Sequence, residues 1–279
     1  RHQGEGKRFH DSSRHYASGG IPTRAQLVSY NGSHDRVYSV YPGFVLVHRG
    51  ETSPSLSQND FPAFGNALWL PPLAADQNDR EAFYILGATL WRCRWSGSAW
   101  SNVQRSTHDF GAGSANFGSA IGFAPGAPLR GYAANDDGVL LRTTDGGVTW
   151  TSAAQTGPAP HYFHGNTFAI DSANADIVAV GGSGYSTPGV RLSTDGGVNW
   201  SAHAQGLPAT LVYDLAWAGD GSGDLYAATE AGAWVRRAGT AAWENVMGLA
   251  APSTTYWSVE AVPGGERMRF GTYGRGIWD

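Results

Sequence analysis

The stretch Arg142-Thr143-Thr144-Asp145-Gly146-Gly147-Val148-Thr149-Trp150 returns, little changed, as Arg191-Leu192-Ser193-Thr194-Asp195-Gly196-Gly197-Val198-Asn199-Trp200. A self-match at a fixed spacing points to stacked or radially arranged copies of one supersecondary unit. The unit is β. In each copy an apolar run, Val139-Leu140-Leu141 or Val190-Arg191-Leu192, enters an Asp-Gly-Gly turn and leaves through Val-x-Trp. Asp-Gly and Gly-Gly between β-formers signal a hairpin, because glycine takes the positive φ that such a turn needs.

Working outward from the turns, each unit shows three short strands before its turn and a fourth that begins at or near a tryptophan. Leu27–Tyr30, Arg36–Val40 and Val45–His48 form the first, ending in a degenerate turn at Arg49-Gly50-Glu51-Thr52. Ala67–Leu70, Ala82–Leu86 and Thr89–Arg92 lead to Trp100; Ala120–Phe123, Arg130–Ala134 and Val139–Arg142 lead to Trp150. Thr167–Ile170, Ile177–Val180 and Val190–Leu192 lead to Trp200; Asp214–Trp217, Asp224–Ala228 and Ala233–Arg236 lead to Trp243. A last unit, Trp257–Val262, Arg267–Thr272 and Gly276–Asp279, stops before its turn.

The marker tryptophans at 100, 150, 200 and 243 are 50, 50 and 43 residues apart, matching roughly 40 to 50 residues per four-stranded propeller blade. The expected fold is therefore all-β: a β-propeller of about five full blades plus a partial one over residues 25–279, behind an N-terminal arm of residues 1–24. Five full units and a partial one make an incomplete ring, unless the arm closes it or more chain precedes Arg1. No sustained 3.6-residue period supports a helical solenoid.

Composition agrees. Of 279 residues 15% are charged, and there are 39 Gly, 11 Trp, 12 Tyr and 11 Phe, a turn-rich and aromatic-rich profile suited to many short strands. A formal net charge of −4 argues against a nucleic-acid partner, which requires a basic surface to displace counterions. The basic residues Arg1, Lys7, Arg8 and Arg14 fall in a Gly- and Ser-rich stretch that reads as a solvated arm. The single Cys93 excludes an intrachain disulfide framework and reads as a strand residue. No apolar run reaches the length of a membrane span, and the opening at Arg1 reads as that of a processed or excised piece. No cofactor and no metal site is expected.

Ser193–Trp200 and Thr143–Trp150 both fit the pattern Ser/Thr-x-Asp-x-Gly-x-x-Trp. On these motifs the chain resembles the Asp-box (bacterial neuraminidase repeat) propellers, which include sialidases, twin-propeller xyloglucan hydrolases, the sortilin ectodomain and photosystem II assembly factors. The ending Phe270-Gly271-Thr272-Tyr273-Gly274-Arg275-Gly276-Ile277-Trp278 is similar in texture to the xyloglucanase and sortilin branch. The resemblance implies a secreted or cell-surface protein with its ligand, carbohydrate or protein, on the face opposite the Asp-boxes. Gly20-Ile21-Pro22 stands where sialidases carry Arg-Ile-Pro, so sialic acid is disfavoured. The motif itself reads as a folding device: its carboxylate accepts N–H bonds within the turn while the Trp ring packs between sheets.

That face is made by the loops entering each inner strand and those joining second and third strands. It gathers acids, histidines and aromatics, the mixture a sugar site uses for stacking and for acid–base work. For hydrolysis the acids are a pair drawn from Asp109, Asp136 and Glu230, one raised in pKa as acid and one ionised. Ligand contacts are expected from His108, His161, Tyr162, His164, Tyr185, Tyr256, Trp257, Tyr273 and Arg275. Bland readings stand beside these: Asp136-Asp137-Gly138 as a turn, His161 and His164 as loop histidines, and Tyr256-Trp257 as packing at the start of an inner strand. The sequence thus supports a glycan-recognising propeller, hydrolytic or not, with a non-catalytic interaction or spacer module as the alternative.

Overall fold

A computed structural model describes residues 27–29, 36–41, 44–48, 55–57, 67–68, 70–111, 117–158, 167–248, 251–262 and 267–279. Among them lie six antiparallel sheets and no helix. The first contains β1 (Leu27–Ser29), β2 (Val37–Tyr41), β3 (Phe44–His48) and β4 (Ser55–Ser57). The second contains β5 (Leu73–Ala75), β6 (Ala82–Leu86), β7 (Leu90–Trp95) and β8 (Trp100–Gln104), and the third β9 (Gly118–Ala124), β10 (Ala127–Asn135), β11 (Val139–Thr143) and β12 (Thr151–Thr156). The fourth contains β13 (Thr167–Ile170), β14 (Val178–Gly181), β15 (Val190–Ser193) and β16 (Ser201–Ala202). The fifth contains β17 (Val212–Trp217), β18 (Leu225–Thr229), β19 (Gly232–Arg236) and β20 (Glu244–Asn245), and the sixth only β21 (Tyr256–Ala261), β22 (Met268–Thr272) and β23 (Ile277–Trp278).

In every sheet the strands lie side by side in chain order. The first strands of successive sheets pack on one another, β1 on β5, then β9, β13, β17 and β21. First strands inward and sheets face to face make a six-bladed propeller. Apolar clusters sit in the clefts between blades. Tyr38, Val40 and Val47 of the first blade meet Leu73, Phe83 and Cys93 of the second, and Ala169, Ala179 and Val190 of the fourth meet Val212, Leu215 and Trp243 of the fifth. Second strands have a neighbouring blade on both faces, so β6 and β14 are buried throughout and read as unbroken apolar runs. Outer strands such as β12 face solvent and are polar. Removing one large ring from a cleft, as in Phe83→Ala, carries a cost of about 3–5 kcal/mol.

One unit opens later than the expected strands. The described residues of Ala67–Leu70 carry no strand, and the second blade opens at Leu73 instead. Pro71 and Pro72 have no N–H to give a ladder, so pairing starts after them, while Ala67 and Leu70 still pack on the first cleft. Cys93 is fully buried in β7, where desolvation pushes its thiol up to about 12 against the opposing pull of Arg92. Such a thiol is inert as a nucleophile.

The repeated turns hold themselves together and hold adjacent blades. Asp145 accepts hydrogen bonds from the Thr143 hydroxyl at 2.7 Å, the N–H groups of Val148 and Thr149 at 3.0 and 2.9 Å, and the Thr149 hydroxyl at 2.6 Å. Asp195 repeats the pattern with Ser193 and Asn199. Trp150 and Trp200 donate Nε1–H to the carbonyls of Gly147 and Gly197. Each turn also seats on the blade before it. Arg105 and Ser106 donate to the carbonyls of Gly146 and Val148, Gln155 accepts from Trp200 N–H, and the His203 carbonyl accepts from Trp243 Nε1 at 2.6 Å.

Candidate functional site

The loops joining second to third strands and those feeding each inner strand share one end of the propeller, since antiparallel strands alternate ends. The candidate acids occupy two stations there. At the junction of the second and third blades, Asp136 Oδ1 accepts the Phe117 N–H at 2.8 Å while Asp136 N–H donates to the Phe117 carbonyl at 3.0 Å. The neighbouring Asn135 donates Nδ2–H to the Phe110 carbonyl. Asp109, in the same connecting loop, accepts the Gly111 N–H at 2.9 Å. His108 stacks edge-on against Phe110 at 4.8 Å, and burial lowers its pKa against the pull of Asp109, which leaves a neutral ring at pH 7. Asp109 and Asp136 therefore pin loop backbone at this station.

Glu230 stands two blades further round, in the loop between β18 and β19 of the fifth blade. It is exposed, and it accepts a 2.5 Å hydrogen bond from the Tyr185 hydroxyl on the corresponding loop of the fourth blade. That bond is the largest cause of a raised Tyr185 pKa, with burial and the charge of Glu230 adding to it. Thr210 and Leu211 tie the two loops together beneath the pair: Gly184 N–H donates to the Thr210 carbonyl, Glu230 N–H to the Leu211 carbonyl, and Ala231 N–H to the Thr210 hydroxyl. Beside them an open groove of about 460 Å³ runs along Gly184, Thr187, Pro188, Gln205, Leu207 and Pro208.

From Leu211 the chain passes directly into a set of rings packed at a tilt. Tyr213 and Trp257 lie 4.4 Å apart between centroids, and Trp257 lies 6.1 Å from Tyr273. Exposure rises outward along the series: Tyr213 is buried, Trp257 half-buried, and Tyr273 63% exposed. Tyr273 is held by its N–H on the Thr255 carbonyl and by the Thr254 hydroxyl on its own carbonyl. Arg275 is exposed in the same turn, its carbonyl accepting Trp278 Nε1–H. Tyr256 is 2% exposed, its ring against Phe270 and its hydroxyl on the Pro252 carbonyl, which places it in the core. His161, Tyr162 and His164 lie outside the described residues.

Sequence reasoning missed the device that sets the rings. Pairing of β17 with β18 skips Tyr213, and pairing of β21 with β22 skips Trp257; the same skip falls on Ser119 in the third blade. These are β-bulges, which re-aim a side chain out of its sheet's alternation. The residue after Tyr213, Asp214, was also missed. Its Oδ1 accepts the Thr167 hydroxyl of the fourth blade at 2.9 Å, and its Oδ2 accepts the Val259 N–H of the sixth at 3.1 Å. An aspartate inside a strand, where the type is depleted, was the available signal. Among the described residues no cluster of three His, Cys, Asp or Glu could hold a metal, and no helix is long and apolar enough to cross a membrane.

No protein-family model and no curated protein matches the chain. Solved structures do. The glycoside hydrolase family 74 xyloglucanase from Xanthomonas campestris superposes with a TM-score of 0.64 at 16% identity, over 89% of this chain and 42% of the enzyme. The extracellular domain of BT4673 from B. thetaiotaomicron gives 0.60 at 15% identity, over 94% of this chain and 33% of that one. YCF48 bound to D1 peptide gives 0.50 at 19%, over 77% and 63%. At such identities the likeness concerns the propeller fold. The chain spans about two fifths of the length of the xyloglucanase.

Proposed function

We propose that this chain is an Asp-box propeller, secreted or displayed at a cell surface, that recognises glycan on the face opposite its Asp-box turns. The observation carrying the reading is the ring series Tyr213, Trp257 and Tyr273, graded in exposure, together with the exposed Glu230–Tyr185 pair, whose Glu230 N–H bonds the Leu211 carbonyl two residues before Tyr213. Exposed rings give sugar C–H faces a surface to cover, and a carboxylate with a phenol gives hydroxyls their partners. The two matched turns support the Asp-box assignment, and two structural neighbours, a xyloglucanase and an extracellular domain, support carbohydrate and an extracellular setting.

Recognition is favoured over hydrolysis by the placement of the acids. A glycosidase needs two carboxyls directed at the scissile bond, whereas Asp109 and Asp136 each accept a loop N–H and Glu230 accepts the Tyr185 hydroxyl. A panel of polysaccharides headed by xyloglucan, read for both binding and released reducing ends, tests the reading. Binding without release is expected. Trp257→Ala should weaken it about tenfold, the size of one lost stacking ring. Silence on every polysaccharide, with binding to an extended peptide assayed alongside, would replace the reading with the protein-interaction alternative.

A further inference from the structure

The rings of the proposed glycan surface belong to two different blades, and something must keep those blades in register. We infer that Asp214 is the positioning residue that does so, a carboxylate strut across three inner strands that sets how Tyr213 and Trp257 stack. The inference rests on the glycan reading for its functional consequence and on hydrogen bonds for its mechanism.

Each inner strand is the terminal strand of its sheet, so one edge of it offers N–H and C=O groups with no ladder partner. Val259 N–H donates to Asp214 Oδ2 at 3.1 Å, which places that donor on the free edge of β21. Asp214 Oδ1 meanwhile accepts the Thr167 hydroxyl at the start of β13 and the N–H of Leu215 in its own strand at 3.0 Å. One half-buried carboxylate thus ties the fourth, fifth and sixth blades together at the axis. Such bonds are charge-assisted, shorter and stronger than neutral ones, and a carboxylate held partly away from water depends on them.

The strut is placed where it controls the rings. Asp214 follows the bulged Tyr213, and Val259 lies two residues beyond the bulged Trp257. A bulge leaves its residue outside the ladder and bends the strand, so its side-chain direction depends on what anchors the backbone beside it. The Asp214–Val259 bond anchors both bulges at once, and the centroids meet at 4.4 Å. In the third blade the bulge falls on Ser119, followed by Ala120. Neither ring nor carboxylate is present there, so of these three bulges only the one in the fifth blade joins a ring to a following carboxylate.

The test compares Asp214→Ala and Asp214→Asn with the full wild-type chain. Asparagine keeps one acceptor oxygen, so it should restore part of what alanine loses. In the ligand-free protein, Asp214→Ala should change the near-ultraviolet circular dichroism of the ring pair and raise acrylamide quenching of Trp257, assigned by a Trp257→Phe control, while the far-ultraviolet spectrum stays that of the wild type. A xyloglucan oligosaccharide should bind about tenfold more weakly, the loss expected when one ring no longer covers the sugar. Near-ultraviolet and quenching signals unchanged in both variants would overturn the role of Asp214. If those signals shift but the wild type itself binds no glycan, the strut stands and the glycan reading falls. Should the alanine variant fail to fold, the asparagine variant decides by the same signals.

Discussion

Asp145 shows how one side chain can specify a turn. Partial burial pushes its carboxyl up, but the Thr149 hydroxyl and N–H, the Thr143 hydroxyl and the Val148 N–H outweigh burial and hold the pKa down at about 2. Asp195 is also held at about 2, chiefly by the N–H and side-chain amide of Asn199. Several donors converge on each carboxylate, so neither has protons to offer a substrate near neutral pH. Because Val148 and Thr149 are exposed, water can replace the lost acceptor, and Asp145→Ala should cost about 1–2 kcal/mol, the low end for removing such bonds. Asp145→Asn, which keeps an oxygen for the N–H groups, should cost about half as much. Urea denaturation of both variants at neutral pH measures the difference; equal losses would mean that the carboxylate's charge, and not its acceptor geometry, holds the turn.

At the scale of the element, the turns were legible because their signal is local: an acceptor, two glycines and a ring at fixed spacing. Gly197 has φ +79°, and a Cβ there would meet the Tyr132 ring of the preceding blade at 2.9 Å. Gly126 has φ +72° with nothing within 4 Å. Gly126→Ala should therefore cost only the backbone strain, about 1 kcal/mol, and Gly197→Ala about 1–3 kcal/mol more for overpacking a blade junction. The gap between the two denaturation midpoints isolates the docking of turn on blade from the conformation of the turn.

The bulges were illegible for the opposite reason. An extra residue breaks the alternation that marks a strand, so the sequence reading began the inner strands at Asp214 and Trp257, whereas they start at Val212 and Tyr256. A strand aspartate signals only a polar break until the edges of neighbouring blades supply its donors. Of the proposed site, the sequence offered residues of one face, Glu230, Tyr185, Trp257 and Tyr273, and not their geometry. Asp109 and Asp136 stand beside Glu230 in the sequence reading because an acid that accepts loop N–H groups and an acid that works on a ligand look alike in one dimension.

For the whole molecule, the same groups predict a two-step response to acid. Burial, with the positive charge of Arg236 adding to it, lowers His203 from 6.5 to about 4, and burial also lowers His48 and His108. Above about pH 6.5 these rings are neutral in both folded and unfolded chains, and their contribution is fully present. As pH falls toward 4 the unfolded chain takes the proton first, so stability drops across that window. Below it the depressed carboxyls take over. Asp145 and Asp195 stay ionised in the fold until about pH 2 while the unfolded chain protonates near 3.8, so a second loss runs from about pH 4 to 2. His203→Gln keeps the backbone carbonyl that holds Trp243 and removes the titrating ring, so it should flatten the first limb by about 2 kcal/mol once solvent screening is discounted, and leave the second untouched. Thermal unfolding followed by circular dichroism from pH 8 to pH 2 separates the limbs. An unchanged slope between pH 6.5 and 4 in the variant would show that the ring at the junction of the fourth and fifth blades is not what makes the propeller acid-sensitive.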